Sequence, residues 1–227
     1  MWVFPAVVKM KPNVDNNKVL IFSGAGVSAE SGLDTFRGSG GFWYTYRIQD
    51  VASLAGWRTD PEYVLEFYNE RKQGILEAEP NAAHKAIAKL EEKYEVVVVT
   101  QNIDDLHERA GSSQVIHLHG EITKARSSWD DSLVYDIGEQ LFNLNDTCEE
   151  GNPLRPHVVW FGEQPYHMDM AKYHFKTAAR VLVIGTSLEV LPAASLVNFG
   201  RHHAEKIIVN MELDRKNKPY GYRWFLG

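Results

Sequence analysis

The stretch Lys18-Val19-Leu20-Ile21-Phe22-Ser23-Gly24-Ala25-Gly26-Val27-Ser28-Ala29 decides the fold. Val19 to Phe22 are apolar without interruption, as in a strand covered on both faces, and the glycines directly after them fit the pattern G-x-G-x-x-G/A. In that pattern Gly24 permits a tight turn, Gly26 lets backbone N–H groups approach a pyrophosphate, and the small Ala29 allows close packing. A helix N-terminus then adds positive potential. Alone, the same residues also suit a purely structural turn. A dinucleotide unit of the dehydrogenase kind would continue into a helix, a second strand and an acid about 20 residues on. The sequence instead runs through Phe36 and Arg37 into Ser39-Gly40-Gly41-Phe42-Trp43, which reads as a lid over a ligand or as a surface loop with glycines at its turns.

Five more short runs rich in Val and Ile lie outward from this stretch: Val96 to Thr100, Val115 to Leu118, Val158 to Phe161, Val181 to Ile184 and Ile207 to Val209. Most are apolar throughout, which suits a parallel sheet with helices on both faces. Between them, Pro61 to Leu76 and Ala82 to Tyr94 carry apolar groups at roughly helical spacing, the second after the cap Pro80-Asn81. The alternation predicts a doubly wound α/β domain whose ligand lies beyond the carboxyl ends of the strands. Two segments break it. Arg37 to Glu79 holds loops and helices without a convincing strand, and Ile122 to Pro156 is polar with little core. They read as insertions that together form a smaller second domain.

At 227 residues the chain can bury its own core, so a monomer is expected. No apolar run approaches the roughly 20 residues of a membrane span. A net charge of −6 without a Lys/Arg block argues against nucleic acid as a partner. The start, Met1-Trp2-Val3-Phe4-Pro5, has no basic segment followed by a long apolar one, and the single Cys148 cannot form an internal disulfide; the cytoplasm is the expectation.

Polar motifs stand at the strand ends. Thr100-Gln101-Asn102-Ile103-Asp104 closes one strand and His117-Leu118-His119-Gly120-Glu121 the next. An imidazole can accept a proton at neutral pH, which suits His119 to general-base work, with Gly120 leaving room for a ligand; a structural histidine is the other reading. His117, two residues earlier, is not assigned a role. Gly185-Thr186-Ser187 and Asn210 follow two further strands and offer small polar groups for ribose or phosphate, as turns also do.

Taken together, Gly24 to Ser28, Phe36-Arg37, Gln101 to Asp104, His119-Gly120, Val158 to Glu163 and Gly185 to Ser187 resemble the sirtuins, in family order from about Lys18 to Asn210. The resemblance implies an α/β, Rossmann-like doubly wound parallel sheet with a smaller inserted second domain. The NAD-binding part would comprise 1–36, 81–120 and 156–227, and the small domain 37–80 and 121–155. NAD and an acyl-lysine protein or peptide would meet in the cleft. His119 would be the catalytic base, helped by Asn102 and Gln101. NAD would contact Gly24, Ala25, Gly26, Ser28, Phe36, Arg37, Gln101, Asn102, Ile103, Asp104, His119, Gly185, Thr186, Ser187 and Asn210. Val159, Phe161, Gly162 and Glu163, with Leu188, Glu189 and Val190, would sandwich the substrate backbone as an added strand. An NAD glycohydrolase or ADP-ribosyltransferase, or a non-catalytic NAD sensor, are the rival readings.

Phe67-Tyr68-Asn69-Glu70-Arg71 looks like the Tyr-x-x-Arg signature of the sirtuin subgroup that removes succinyl and malonyl groups. Positions i and i+3 share a helix face, so Tyr68 and Arg71 can meet one carboxylate; acetyl removal is also compatible. The family usually carries two Cys-x-x-Cys pairs, near Ser127 and near Cys148. This chain has one cysteine, too few for a four-coordinate structural zinc, so no metal is expected. Packing through Trp129, Leu133, Tyr135, Ile137, Leu141 and Phe142 would hold the small domain instead. The adenine contacts stay unassigned.

Overall fold

The strand read first, β1 (Asp15–Ser23), lies at the centre of a six-stranded sheet. The computed structural model describes residues 14–35, 46–212 and 218–227, so Phe36, Arg37 and the Ser39-to-Trp43 loop lie outside the described residues. β1 is followed by a 3-10 helix, Ala25–Ser31, not the α-helix of the fingerprint. Three helices come next: α1 (Ile48–Val51), α2 (Leu54–Thr59) and α3 (Pro61–Glu77). α3 starts where the sequence places it, with Pro61 in its first turn and the Asp60 side chain accepting from the Tyr63 N–H at 3.0 Å. α4 (Ala82–Lys89) is capped by Asn81 and is shorter than its periodicity suggests, because the chain tightens into a 3-10 turn at Leu90–Glu92.

The remaining elements are β2 (Glu95–Thr100), α5 (Leu106–Arg109), β3 (Val115–His117), β4 (Gly120–Ser127), β5 (Val134–Asp136), β6 (Leu154–Val158), α6 (Met168–Thr177), β7 (Ala178–Ile184), β8 (Glu205–Val209) and β9 (Arg223–Phe225). The large sheet has the order β3-β2-β1-β7-β8-β9, every pair parallel. Alternate residues of the apolar strands feed two cores. Leu20, Phe22, Val97, Val99, Val181 and Val183 pack under α6 and the segment Ala193–Phe199, while Val19, Ile21, Val96 and Val98 pack on Ile87 of α4. Burial on both faces is why these strands are apolar throughout. The order reverses between β1 and β7, the switch point beyond whose carboxyl ends open α/β sheets bind their ligands.

Two expectations are corrected. Val158 to Phe161 is not a strand of the large sheet: Val158 ends β6, which joins β4 and β5 in a separate antiparallel sheet of order β5-β4-β6. The sixth large-sheet strand is β9, whose residues are all exposed and so lack the apolar run that marks a covered strand. The small sheet, α3 and α1 share a third core of Val64, Phe67, Tyr68, Ile122, Ala125, Phe142 and Trp160, so Ile122 to Pro156 has more core than its polarity suggests. Trp129 does not contribute. It is 84% exposed, and Leu141 is also exposed.

Candidate active site

The loops after β1 and β7 press against one another. The Gly24 N–H donates to the Ile184 carbonyl at 3.2 Å and the Gly26 N–H to the Gly185 carbonyl at 2.8 Å. A Cβ on Gly26 would stand 2.9 Å from Gly185 Cα, and Gly185 itself has φ +62°. These glycines therefore let two backbones meet, and the Gly26 N–H is spent on that contact instead of pointing at a phosphate. Gly120 differs from its expected role in the same way: at φ +85° its missing side chain makes room for the His157 carbonyl of the neighbouring strand.

A buried network fills the floor of the crevice. The Ser28 hydroxyl donates to Asp104 Oδ2 at 3.1 Å and accepts from Asn102 Nδ2 at 3.1 Å. Behind it, His84 Nδ1 accepts the Asn81 N–H, so the ring proton sits on Nε2, 3.5 Å from Ser28 Oγ. Burial pushes His84 down to about 4, leaving it neutral. A parallel chain runs from His107 Nε2 to Ser23 Oγ at 2.9 Å, on to Thr100 Oγ1 at 2.9 Å, which also takes the Asn102 N–H at 3.0 Å. Burial raises the Asp104 carboxyl, against the hydrogen bonds from the Leu106 N–H and Ser28. Ile103 packs in the small-sheet core, and its carbonyl takes the Ile122 N–H. Thr100 belongs to the strand-end motif but had no role assigned, and Ser23, His84 and His107 had none either; the spacing Asn81-x-x-His84, that of a capping box, is the signal that could have flagged His84.

His119 stands in the turn between β3 and β4. Its Nδ1 is 2.9 Å from the Gln101 carbonyl, which can only accept, so the proton is on Nδ1 and the Nε2 lone pair is left for other work. Burial holds its pKa below the ordinary value, keeping the ring neutral. Gln101 Nε2 donates to Thr186 Oγ1 at 3.0 Å, joining the β2 and β7 ends. Asn210 serves that loop too, its amide donating to the Thr186 carbonyl at 3.0 Å. Ala25 is half-buried and Ser187 exposed at the rim. His117 is a different kind of histidine. Both its nitrogens face acceptors, the Asn102 carbonyl at 2.9 Å and Glu108 at 2.8 Å, and although burial opposes its charge, Glu108 holds its pKa above the ordinary value.

Two segments flank the Leu118–His119 turn. The Val159 N–H donates to the His119 carbonyl at 2.9 Å, and Leu188 shares a core with Leu118. Leu188 has φ +58°, a strained value for a branched residue, held by its N–H on Thr186 Oγ1. Phe161, Gly162 and Glu189 are exposed, and Val190 is half-buried. The Glu163 carboxylate is committed within the protein, to Arg155 at 2.8 and 3.1 Å, to Arg126 at 2.8 Å and to the Trp160 N–H at 2.8 Å.

Tyr68 and Arg71 share the inner face of α3, both buried. The Tyr68 hydroxyl accepts from Trp160 Nε1 at 2.8 Å, which leaves its own proton to donate. Burial lowers the Arg71 pKa, while the Asp104 carboxylate supports its charge. In the small sheet, Ser127 Oγ accepts from the Trp129 and Asp130 N–H groups at 3.2 Å each, and the Cys148 thiol donates to it at 3.6 Å. One thiol and one serine already paired together do not fit a four-ligand zinc centre.

Comparison with known proteins shows the family. The model of the Sir2 family matches residues 24–192. An NAD-dependent protein deacylase of Helicobacter pylori (strain J99) is 48% identical over 200 residues, covering 88% of this chain and 83% of that protein. Among solved structures, a Sir2 homologue in complex with NAD is 36% identical with a TM-score of 0.83, covering 92% of this chain and 84% of that one. A Sir2 protein with a deacetylated p53 peptide and acetyl ADP-ribose is 30% identical with a TM-score of 0.78, covering 92% and 88%.

Proposed function

Because the chain belongs to the Sir2 family, we propose that it is an NAD-dependent protein-lysine deacylase with His119 as general base, Tyr68 and Arg71 as an acidic-acyl clamp, and no zinc in its small sheet. The observation that carries this reading is the His119 ring: Nδ1 is locked on the Gln101 carbonyl, burial keeps the ring neutral, and the Nε2 lone pair is left to accept a proton. NAD is a co-substrate. Its cationic nicotinamide leaves readily once the acyl oxygen is held against the ribose carbon, so the protein has chiefly to position that oxygen, exclude water and take one proton. His119 Nε2 takes it from a ribose hydroxyl, and one water, admitted only after nicotinamide has left, is consumed as the amine is released, so that the products are nicotinamide, O-acyl-ADP-ribose and free lysine.

For the acyl group, the buried Arg71 supplies charge and Tyr68 a hydroxyl proton on one helix face, a pairing suited to a terminal carboxylate. Incubation with NAD and acetyl-, malonyl- or succinyl-lysine peptides, with products identified by mass, tests the whole reading. O-acyl-ADP-ribose should form, most readily from the acidic acyl groups. Nicotinamide release without peptide would favour NAD hydrolysis. Arg71→Met should lower desuccinylation by roughly 10- to 100-fold, the worth of a hydrogen bond to a charged group, and deacetylation far less. Equal losses would remove the clamp. Stoichiometric zinc in the purified protein that Cys148→Ser releases would refute the zinc-free reading of the small sheet.

A further inference from the structure

Behind the crevice, three side chains from three elements converge. Glu108 of α5, His117 of β3 and Glu121 of β4 each offer one ligand atom, all within 4.8 Å of one another. His117 Nε2 is 2.8 Å from Glu108 Oε1 and 3.9 Å from Glu121 Oε1. Around a zinc-type ion with bonds of about 2.0–2.2 Å, neighbouring tetrahedral ligands stand about 3.4 Å apart, between those two separations. His117 is only 6% exposed, and its Nδ1 is anchored on the Asn102 carbonyl. An outer-shell bond of this kind fixes a metal-binding imidazole, and here it aims Nε2 at both carboxylates. Glu121 turns its other oxygen to Lys124, and the cluster borders a cavity lined also by His157 and Tyr166, with room for waters to complete a coordination shell.

We propose that Glu108, His117 and Glu121 form a binding site for a divalent first-row transition ion. One imidazole with two carboxylates suits zinc, cobalt or nickel better than magnesium or calcium, which favour all-oxygen shells. The ion takes the place of the proton between His117 and Glu108. Through the Asn102 carbonyl it braces the strand ends that carry Asn102 and His119.

Tag-free, chelator-treated protein titrated with Co²⁺, followed by calorimetry and visible absorption, tests the site. One ion per chain should bind, with ligand-field bands and no sulfur-to-cobalt charge transfer. Glu108→Gln and Glu121→Gln, at partly exposed positions that leave the core intact, should each weaken binding at least about tenfold. The thermal midpoint should rise with Co²⁺ in the parent protein and less in the variants. Affinity unchanged in both glutamine variants, a charge-transfer band that Cys148→Ser abolishes, or no binding at millimolar Co²⁺ would each overturn the proposal.

Discussion

His119 owes its chemistry to atoms that are not its own. The Gln101 carbonyl selects the tautomer and burial keeps the ring neutral, while Ser28 holds the amide of Asn102, next in sequence to Gln101. His117, two residues earlier in the same short motif, instead has its Nε2 on Glu108, which raises its pKa against the effect of burial. Replacing His119 by Asn should therefore cut lysine formation by roughly 10²- to 10⁴-fold, the usual worth of a positioned base. On the proposed mechanism the base acts after nicotinamide has left, so exchange of labelled nicotinamide into NAD in the presence of acyl-peptide should persist. Parallel loss of exchange and product would show that His119 supports the earlier step as well.

At the scale of elements, the meeting of the β1 and β7 loops sets the shape of the crevice. Gly185 has φ +62°, and a Cβ there would run into the Val27 backbone, whereas Gly162, at φ +95°, has nothing within 4 Å. Gly185→Ala should lower the thermal midpoint and weaken NAD binding more than Gly162→Ala, which incurs only the backbone penalty of about 1–2 kcal/mol. Similar losses in calorimetric scans of the two variants would mean that the loops can separate freely. Asn81 is a second joint. Besides capping α4 it donates to the Val27 carbonyl at 2.8 Å and to Ser31 at 3.1 Å, so Asn81→Ala should exceed the ~1 kcal/mol of an ordinary cap in urea denaturation.

The whole molecule carries a proton-linked term at His84. Its folded-state pKa of about 4 lies below the 6.5 of the free side chain, so the unfolded chain binds the proton more readily. This contribution is complete above pH 6.5 and is lost as pH falls toward 4, up to roughly 3 kcal/mol. Urea midpoints measured across that window should fall more steeply for the parent protein than for His84→Gln; equal slopes would mean that His84 is charged in the fold. The large sheet was legible because its central strands are buried on both faces, so Val19 to Phe22, Val96 to Val99 and Val181 to Ile184 had to be apolar at consecutive positions. The exposed β9 carries no such mark, and Val158 to Phe161 carries it misleadingly, because the small sheet has a buried face of its own. The sequence alone determined the parallel α/β architecture, the capped helices and the strand-end motifs, since periodicity and capping are local properties. Only the tertiary structure decided which histidine keeps a lone pair, that Gly26 and Gly120 accommodate backbone and not ligand, and that Glu163 serves Arg126 and Arg155. Those outcomes depend on partners distant in the chain, whose donors and acceptors meet only when the elements pack.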